Sequence, residues 1–187
     1  MTGDWTLVSL DAVAPQPWRN GGGSTRELLA WPSPQRWTVR ISVADVTRAG
    51  PFSRFAGVER WFAVLEGRGV ELRMPDGLHV LASTSPPLRF DGGVDVDCSL
   101  VDGPTRDLNL MAPPGAAHLR RIGPHGHASH AGAGSLVALY AHCHAATVVE
   151  GVHPVHVPPY HLAWCLRRAP LPATAQGEDA FWMEVTP

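Results

Sequence analysis

The chain of 187 residues contains no lysine; its fifteen lysine-plus-arginine positions are all arginine. That absence removes Schiff-base and pyridoxal chemistry, which need a lysine amine. It also removes the phosphate loop G-x-x-x-x-G-K-[ST], in which lysine is obligatory. An excess of positive charge is missing too. With seventeen acidic residues the formal net charge is −2, and the isoelectric point lies near 6.5. No basic face is therefore available for nucleic acid or an anionic membrane, and neither is expected as a partner. Cysteine is scarce: Cys98, Cys143 and Cys165 are odd in number, far apart and without a C-x-x-C pair. This argues against a disulfide framework or structural zinc, and the three read as reduced core cysteines. Long apolar runs are lacking; none approaches the ~18 residues of a membrane helix. Met1-Thr2-Gly3-Asp4 has no basic start and no apolar stretch follows it, unlike a secretory signal. The expectation is a soluble, cytoplasmic protein.

Helical periodicity is equally poor, and no window of a dozen residues carries a clear 3.6-residue repeat. Glycine and proline are abundant instead, 19 and 18 of 187 residues, which suits short strands joined by tight turns. In the segment 37–43, Trp37, Val39, Ile41 and Val43 alternate with Thr38, Arg40 and Ser42, so one strand face is apolar and the other polar. Residues 61–65, 70–73 and 78–81 read as strands about glycine-bearing turns. Val94, Val96, Cys98 and Leu100 alternate with acidic and hydroxyl residues. Further strands are expected over 108–111, 136–142, 162–166 and 181–185, and any helix should be short. Strand signals about every ten residues imply an antiparallel barrel or sandwich. A chain of this length buries roughly 70% of its unfolded surface if it forms one domain.

The densest group of special-purpose residues is Trp18-Arg19-Asn20-Gly21-Gly22-Gly23-Ser24-Thr25-Arg26-Glu27-Leu28. Three glycines mark a sharp turn or a close backbone approach. They read either as a loop leading into a strand near Thr25, or as a backbone-lined pocket in which N–H groups and the Asn20 amide meet a polar molecule beside Trp18. Hydrolase chemistry has no foothold: there is no G-x-S-x-G, and Ser24 has no designated histidine. Asp45, Glu59, Glu66 and Asp91 fall in expected turns and do not nominate a carboxylate pair. The glycines have neither the spacing nor the context of a dinucleotide fingerprint.

The run 18–28 resembles the HutD/Ves family. So do Trp37…Arg40-Ile41-Ser42-Val43-Ala44-Asp45, Gly50-Pro51-Phe52-Ser53-Arg54-Phe55-Ala56-Gly57…Arg60, Leu65-Glu66-Gly67, Phe90-Asp91-Gly92 and Asp107-Leu108-Asn109-Leu110-Met111, in that order. The resemblance covers roughly residues 5–115 and fades beyond about 120. It implies an all-β, cupin-like bicupin, with two small antiparallel β-barrels in one compact chain spanning 1–187, divided near residue 92. It also implies an accessory or regulatory role in histidine utilisation, binding a small carboxylated intermediate such as N-formylglutamate or urocanate, and leaves open whether the protein is an enzyme; no cofactor and no essential metal are expected. With Asn20, Thr25 and Arg60 at matched motifs, Arg40 reads as part of a carboxylate clamp, because a guanidinium grips a carboxylate with two parallel hydrogen bonds. The expected pocket comprises Trp18, Asn20, Thr25, Arg40, Ser42, Phe52, Ser53 and Arg60. Phe52 and Phe55 read equally as plugs at a barrel end. Asn109 reads as satisfying backbone groups at a strand edge, or else as a contribution to the pocket.

Nine of the ten histidines lie between His118 and His161. His142-Cys143-His144 would put two imidazoles on one face of a strand, the way metal-dependent cupins begin their ligand set, but the following acidic residue is as far as Glu150. His125, His127 and His130 sit in a loop-like segment, and exposed histidines binding metal adventitiously account for the cluster. The alternative function is a cupin enzyme acting on a small organic acid, through metal or through metal-free acid/base work by Asp45 or a histidine. A third reading is an interaction module without a ligand. Association into a homodimer through exposed strand edges is an expectation by fold analogy.

Overall fold

The structure, a computed structural model, describes residues 4–123, 125–170 and 172–186. Among them the chain forms nineteen strands and no helix, so no helix is long and apolar enough to cross a membrane. In chain order the first eleven are β1 (Thr6–Ser9), β2 (Gln16–Pro17), β3 (Gly23–Trp31), β4 (Val39–Val46), β5 (Gly50–Pro51), β6 (Glu59–Glu66), β7 (Val70–Met74), β8 (Gly77–Leu81), β9 (Leu88–Asp91), β10 (Asp97–Leu100) and β11 (Thr105–Ala112). The remaining eight are β12 (Ala117–Ile122), β13 (His127–Ser129), β14 (Leu136–Ala141), β15 (Ala146–Glu150), β16 (His153–Val157), β17 (His161–Leu166), β18 (Ala173–Gly177) and β19 (Ala180–Val185).

Two compact units divide these strands. Residues 13–115 make one, and residues 4–12 join those from 116 onward in the other. In the unit of 13–115, a six-stranded sheet runs β2-β3-β4-β11-β6-β9 and a four-stranded sheet runs β5-β10-β7-β8. Alternation places Phe62 and Val64 of β6 in a cluster with Val70, Leu72 and Cys98 of the smaller sheet and Val96 just before β10. Each fully buried side chain of this kind contributes about 1.5–3 kcal/mol. The other unit has a five-stranded sheet, β1-β17-β14-β19-β12, and a four-stranded sheet, β13-β18-β15-β16. Val137 and Leu139 of β14 share a core with Val148, Val157, Cys165 and Trp182.

The strands expected over 37–43, 61–65, 70–73, 78–81, 108–111, 136–142, 162–166 and 181–185 all have counterparts whose ends agree to within three residues. The sheets are open, however, and do not close into barrels. A division near residue 92 would separate β10 and β11 from β7, β4 and β6, to which they are paired. The loop expected around His127 contains a three-residue strand, β13. Asp45, Glu59, Glu66 and Asp91, expected in turns, lie on strands. Cys98 and Cys165 are buried as expected, but Cys143 is exposed.

Candidate functional site

Cross-strand register in the six-stranded sheet arranges polar side chains in rows. Arg40 of β4 stands opposite Met111 of β11, which stands opposite Arg60 of β6. One row on, Ser42, Asn109 and Phe62 are aligned; next come Thr25, Ala44, Asp107 and Val64. All of these occupy one sheet face, because strand residues two apart point the same way. The intervening Val39, Ile41 and Val43 turn to the opposite face and are at most 3% exposed. The polar half of the alternation thus opens into a cavity of about 590 Å³, within the range of small-molecule sites.

One wall is set by the glycine turn. The backbone N–H of Gly21 donates to Trp18 O (2.9 Å) and that of Trp18 to Gly23 O (2.9 Å). Gly22 N donates to Asn20 Oδ1 at 2.9 Å. These N–H groups are used inside the turn, and the three glycines do not line the cavity. The backbone-cradle reading is therefore corrected: the run builds a turn that presents its neighbours. Gly23 needs to be glycine, since a Cβ there would sit 2.3 Å from the Asp45 carbonyl oxygen. Trp18 Nε1 donates to Thr25 Oγ1 at 2.8 Å, which fixes the indole as a wall.

The two arginines differ in kind. Arg40 Nε donates to Glu27 Oε2 at 2.6 Å, so an acid already neutralises it. Arg60 is 8% exposed. Its Nε and Nη2 both donate to Asn109 Oδ1, at 2.8 and 2.6 Å. Its guanidinium lies 4.4 Å from the centre of the Phe52 ring, a stacking contact worth about 2 kcal/mol when desolvated. Among the described residues no carboxylate forms an ion pair with it. Burial pushes its pKa down to about 10, opposed by Asp107 and assisted by Arg40, so it remains a cation at neutral pH.

Asp107 lies deeper and is fully buried. Its Oδ2 accepts from Thr105 Oγ1 at 3.0 Å, while Oδ1 is buried without a hydrogen bond among the described residues. Burial raises its pKa to about 7, with Asp45 adding to the rise and the Thr105 hydroxyl and Arg60 opposing it. The same burial lifts the neighbouring Cys98 thiol to about 12.

Trp18, Asn20, Thr25, Arg40, Ser42, Phe52, Ser53 and Arg60 all line this one cavity. Phe52 and Phe55 line it as well, so neither acts solely as a plug. Asn109 is not at an edge: β11 is paired on both sides, and its amide faces the cavity. Spacing two residues from Asp107 and Met111 was the available signal. Asp45 does not line the cavity; its two oxygens accept from Arg26 (2.7 Å) and Arg106 (2.8 Å), a poor arrangement for a free base. His142 and His144 are not on a strand face, because β14 ends at Ala141.

The same fold recurs among known proteins. A 21.2 kDa protein of Pseudomonas putida, described as lying in the hutC 3′ region, is 38% identical over 105 residues, covering 52% of this chain and 53% of that protein. Protein Ves of Escherichia fergusonii is 36% identical over 98 residues, half of each chain. The chain thus spans about half the length of the curated relatives it matches. Similarity to solved structures is more extensive. HutD from Pseudomonas fluorescens SBW25 superposes with a TM-score of 0.81 at 25% identity, over 97% of this chain and 98% of that one. A conserved protein of unknown function from Pseudomonas aeruginosa PAO1 gives 0.82 at 26% identity, over 97% and 96%. A cupin 2 conserved barrel domain protein from Leptotrichia buccalis, TM-score 0.58 at 8% identity, shares the fold alone. The HutD family model matches residues 11–183, extending the similarity far past residue 115. With that match running through both units, the chain belongs to the HutD family.

Proposed function

We propose that the cavity of the 13–115 unit binds a small carboxylated metabolite, and that the protein acts as an accessory or regulatory component of histidine utilisation without turning its ligand over. One observation carries the reading: Arg60 is a buried cation whose hydrogen-bonded partner is a neutral amide. Desolvated charge without a counter-ion is costly, and a carboxylate entering the cavity would relieve that cost. Ser42, Ser53 and the Asn20 amide add polar contacts around it, and Trp18 and Phe52 add apolar walls. N-formylglutamate and urocanate fit this chemistry, and the P. putida relative's position in the hutC 3′ region favours the pathway. We infer likewise that the two open sheets of each unit correspond to the two walls of a cupin-type fold, which the cupin-type neighbour supports.

The test is a thermal-shift and calorimetric screen against histidine, urocanate, imidazolone propionate, formylglutamate, glutamate and formate. A ligand at a hundred times Kd adds about 2.7 kcal/mol, which raises Tm by roughly 5–11 °C in a protein of this size. A selective rise with one carboxylate is expected, lost in Arg60→Ala. An unresponsive Tm across the set, or an equal response in Arg60→Ala, would rule the reading out. Stoichiometric incubation that consumed the ligand would favour the cupin-enzyme alternative.

A further inference from the structure

Outside the cavity, in the unit that contains β14 and β19, three ligating side chains converge from two turns. β14 ends at Ala141, and the chain turns through His142 and Cys143 before β15. Asp179 lies in the turn between β18 and β19, with a left-handed φ of 56°. One ligand atom from each of His142, Cys143 and Asp179 falls within 4.8 Å of the others. Cys143 Sγ is 3.9 Å from Asp179 Oδ2 and 3.2 Å from His144 Nδ1. A tetrahedral ion with bonds of about 2.0–2.3 Å sets its ligand atoms about 3.3–3.8 Å apart, so the group closes on an ion by about an ångström of side-chain adjustment.

The surroundings hold these groups in place. The His142 imidazole is 3% exposed and meets the Tyr160 ring edge-on at 5.5 Å. The Tyr160 N–H donates to His142 O at 2.8 Å. Asp179 Oδ1 is paired with Arg121 Nη1, and the Arg121 guanidinium stacks 4.4 Å from the Phe181 ring centre. One carboxylate oxygen is therefore anchored while the other faces the thiol, the arrangement by which outer partners orient metal ligands.

The geometry points to a metal site formed by His142, Cys143 and Asp179, its fourth position open to water, that takes a borderline divalent cation of the zinc or cobalt type and ties the β14–β15 turn to the β18–β19 turn. Thiolate and imidazole together select such ions over magnesium or calcium, which prefer all-oxygen sets. This differs from the H-x-H ligand pair read from the sequence: it uses the intervening cysteine and an aspartate from a distant turn.

Metal-stripped, tag-free protein titrated with cobalt(II) tests the site. The expected result is one equivalent bound with a near-ultraviolet thiolate-to-cobalt charge-transfer band and the strong visible bands of four-coordinate cobalt. Zinc should displace the cobalt, raise Tm and protect Cys143 from alkylation. Cys143→Ser should abolish the charge-transfer band, and Asp179→Asn should weaken binding at least tenfold. Both should fold, since Cys143 is exposed and asparagine tolerates positive φ; matching Tm values of the metal-free proteins check this. Failure to bind cobalt, binding without the charge-transfer band, or parent-like affinity in either variant overturns the site and assigns any bound metal to the exposed histidines.

Discussion

Arg60 and Arg40 line the same cavity, yet their consequences for binding should differ. Glu27 already balances Arg40, whereas Arg60 donates to the neutral Asn109 amide and forms no ion pair among the described residues. Truncating one member of a buried charged hydrogen-bonded pair costs about 2–5 kcal/mol, roughly thirty-fold to several thousand-fold in affinity. Calorimetry should find that Arg60→Ala weakens carboxylate binding at least thirty-fold and Arg40→Ala less than tenfold; comparable losses would contradict the asymmetry. Asp107 supplies a separate signal. Its carboxyl titrates near 7 in the fold against an ordinary 3.8, so between those values the folded state holds a proton that the unfolded chain lacks. Its contribution to stability is fully present below the lower value and is lost as pH rises through about 7, with a slope of at most about 1.4 kcal/mol per pH unit. Urea titrations from about pH 5 to about pH 8 should show Asp107→Asn flattening that decline and being the more stable form at the alkaline end. The eight cavity residues were legible because strand alternation points at Arg40 and Ser42 and the matched motifs at the other six. The sequence could not single out Asp107 or rank the arginines, since burial and the Glu27 pairing depend on which strands become neighbours.

Among the elements, the glycine turn before β3 carries the sharpest local requirement. A methyl group at Gly23 would meet the Asp45 backbone at 2.3 Å, whereas one at Gly22 would meet the movable end of the Asn20 side chain at 3.2 Å. Gly23→Ala is expected to destabilise by about 1–3 kcal/mol or more, as overpacking does, and Gly22→Ala by under about 1 kcal/mol. Denaturation midpoints of the two variants compare them directly; equal midpoints would refute the account. Here the sequence exposes the turn but not which glycine it depends on, because the obstructing carbonyl belongs to β4. β4 itself was readable from Val39, Ile41 and Val43 alone. The histidine-rich region was not: β16 carries Pro154 and two histidines in five residues, and its edge position, paired only with β15, permits that composition.

For the molecule as a whole, the separation read from the sequence missed that the unit built from the C-terminal half takes its first strand from the other end of the chain. β1 pairs along its full length with β17, Thr6 opposite Trp164 and Ser9 opposite His161. Leu10 is 2% exposed, and the Trp5 ring lies 6.4 Å from that of Trp182. No short-range pattern reports a pairing between such distant segments. Deleting residues through Leu10 should lower Tm and, by uncovering the edge of β17, produce concentration-dependent association; light scattering that found only monomer at unchanged Tm would count against this. The same pairing fixes an order in time. Translation at about 5–20 residues per second puts His161 off the ribosome roughly 8–30 s after Ser9. For roughly the last 2–9 s of that interval, once residue 115 has been made, the strands of residues 13–115 can find all their partners while β1 has none. A strand made before any of residues 13–115 is thus used after them, and the cavity-bearing unit has the means to assemble before the other one is complete.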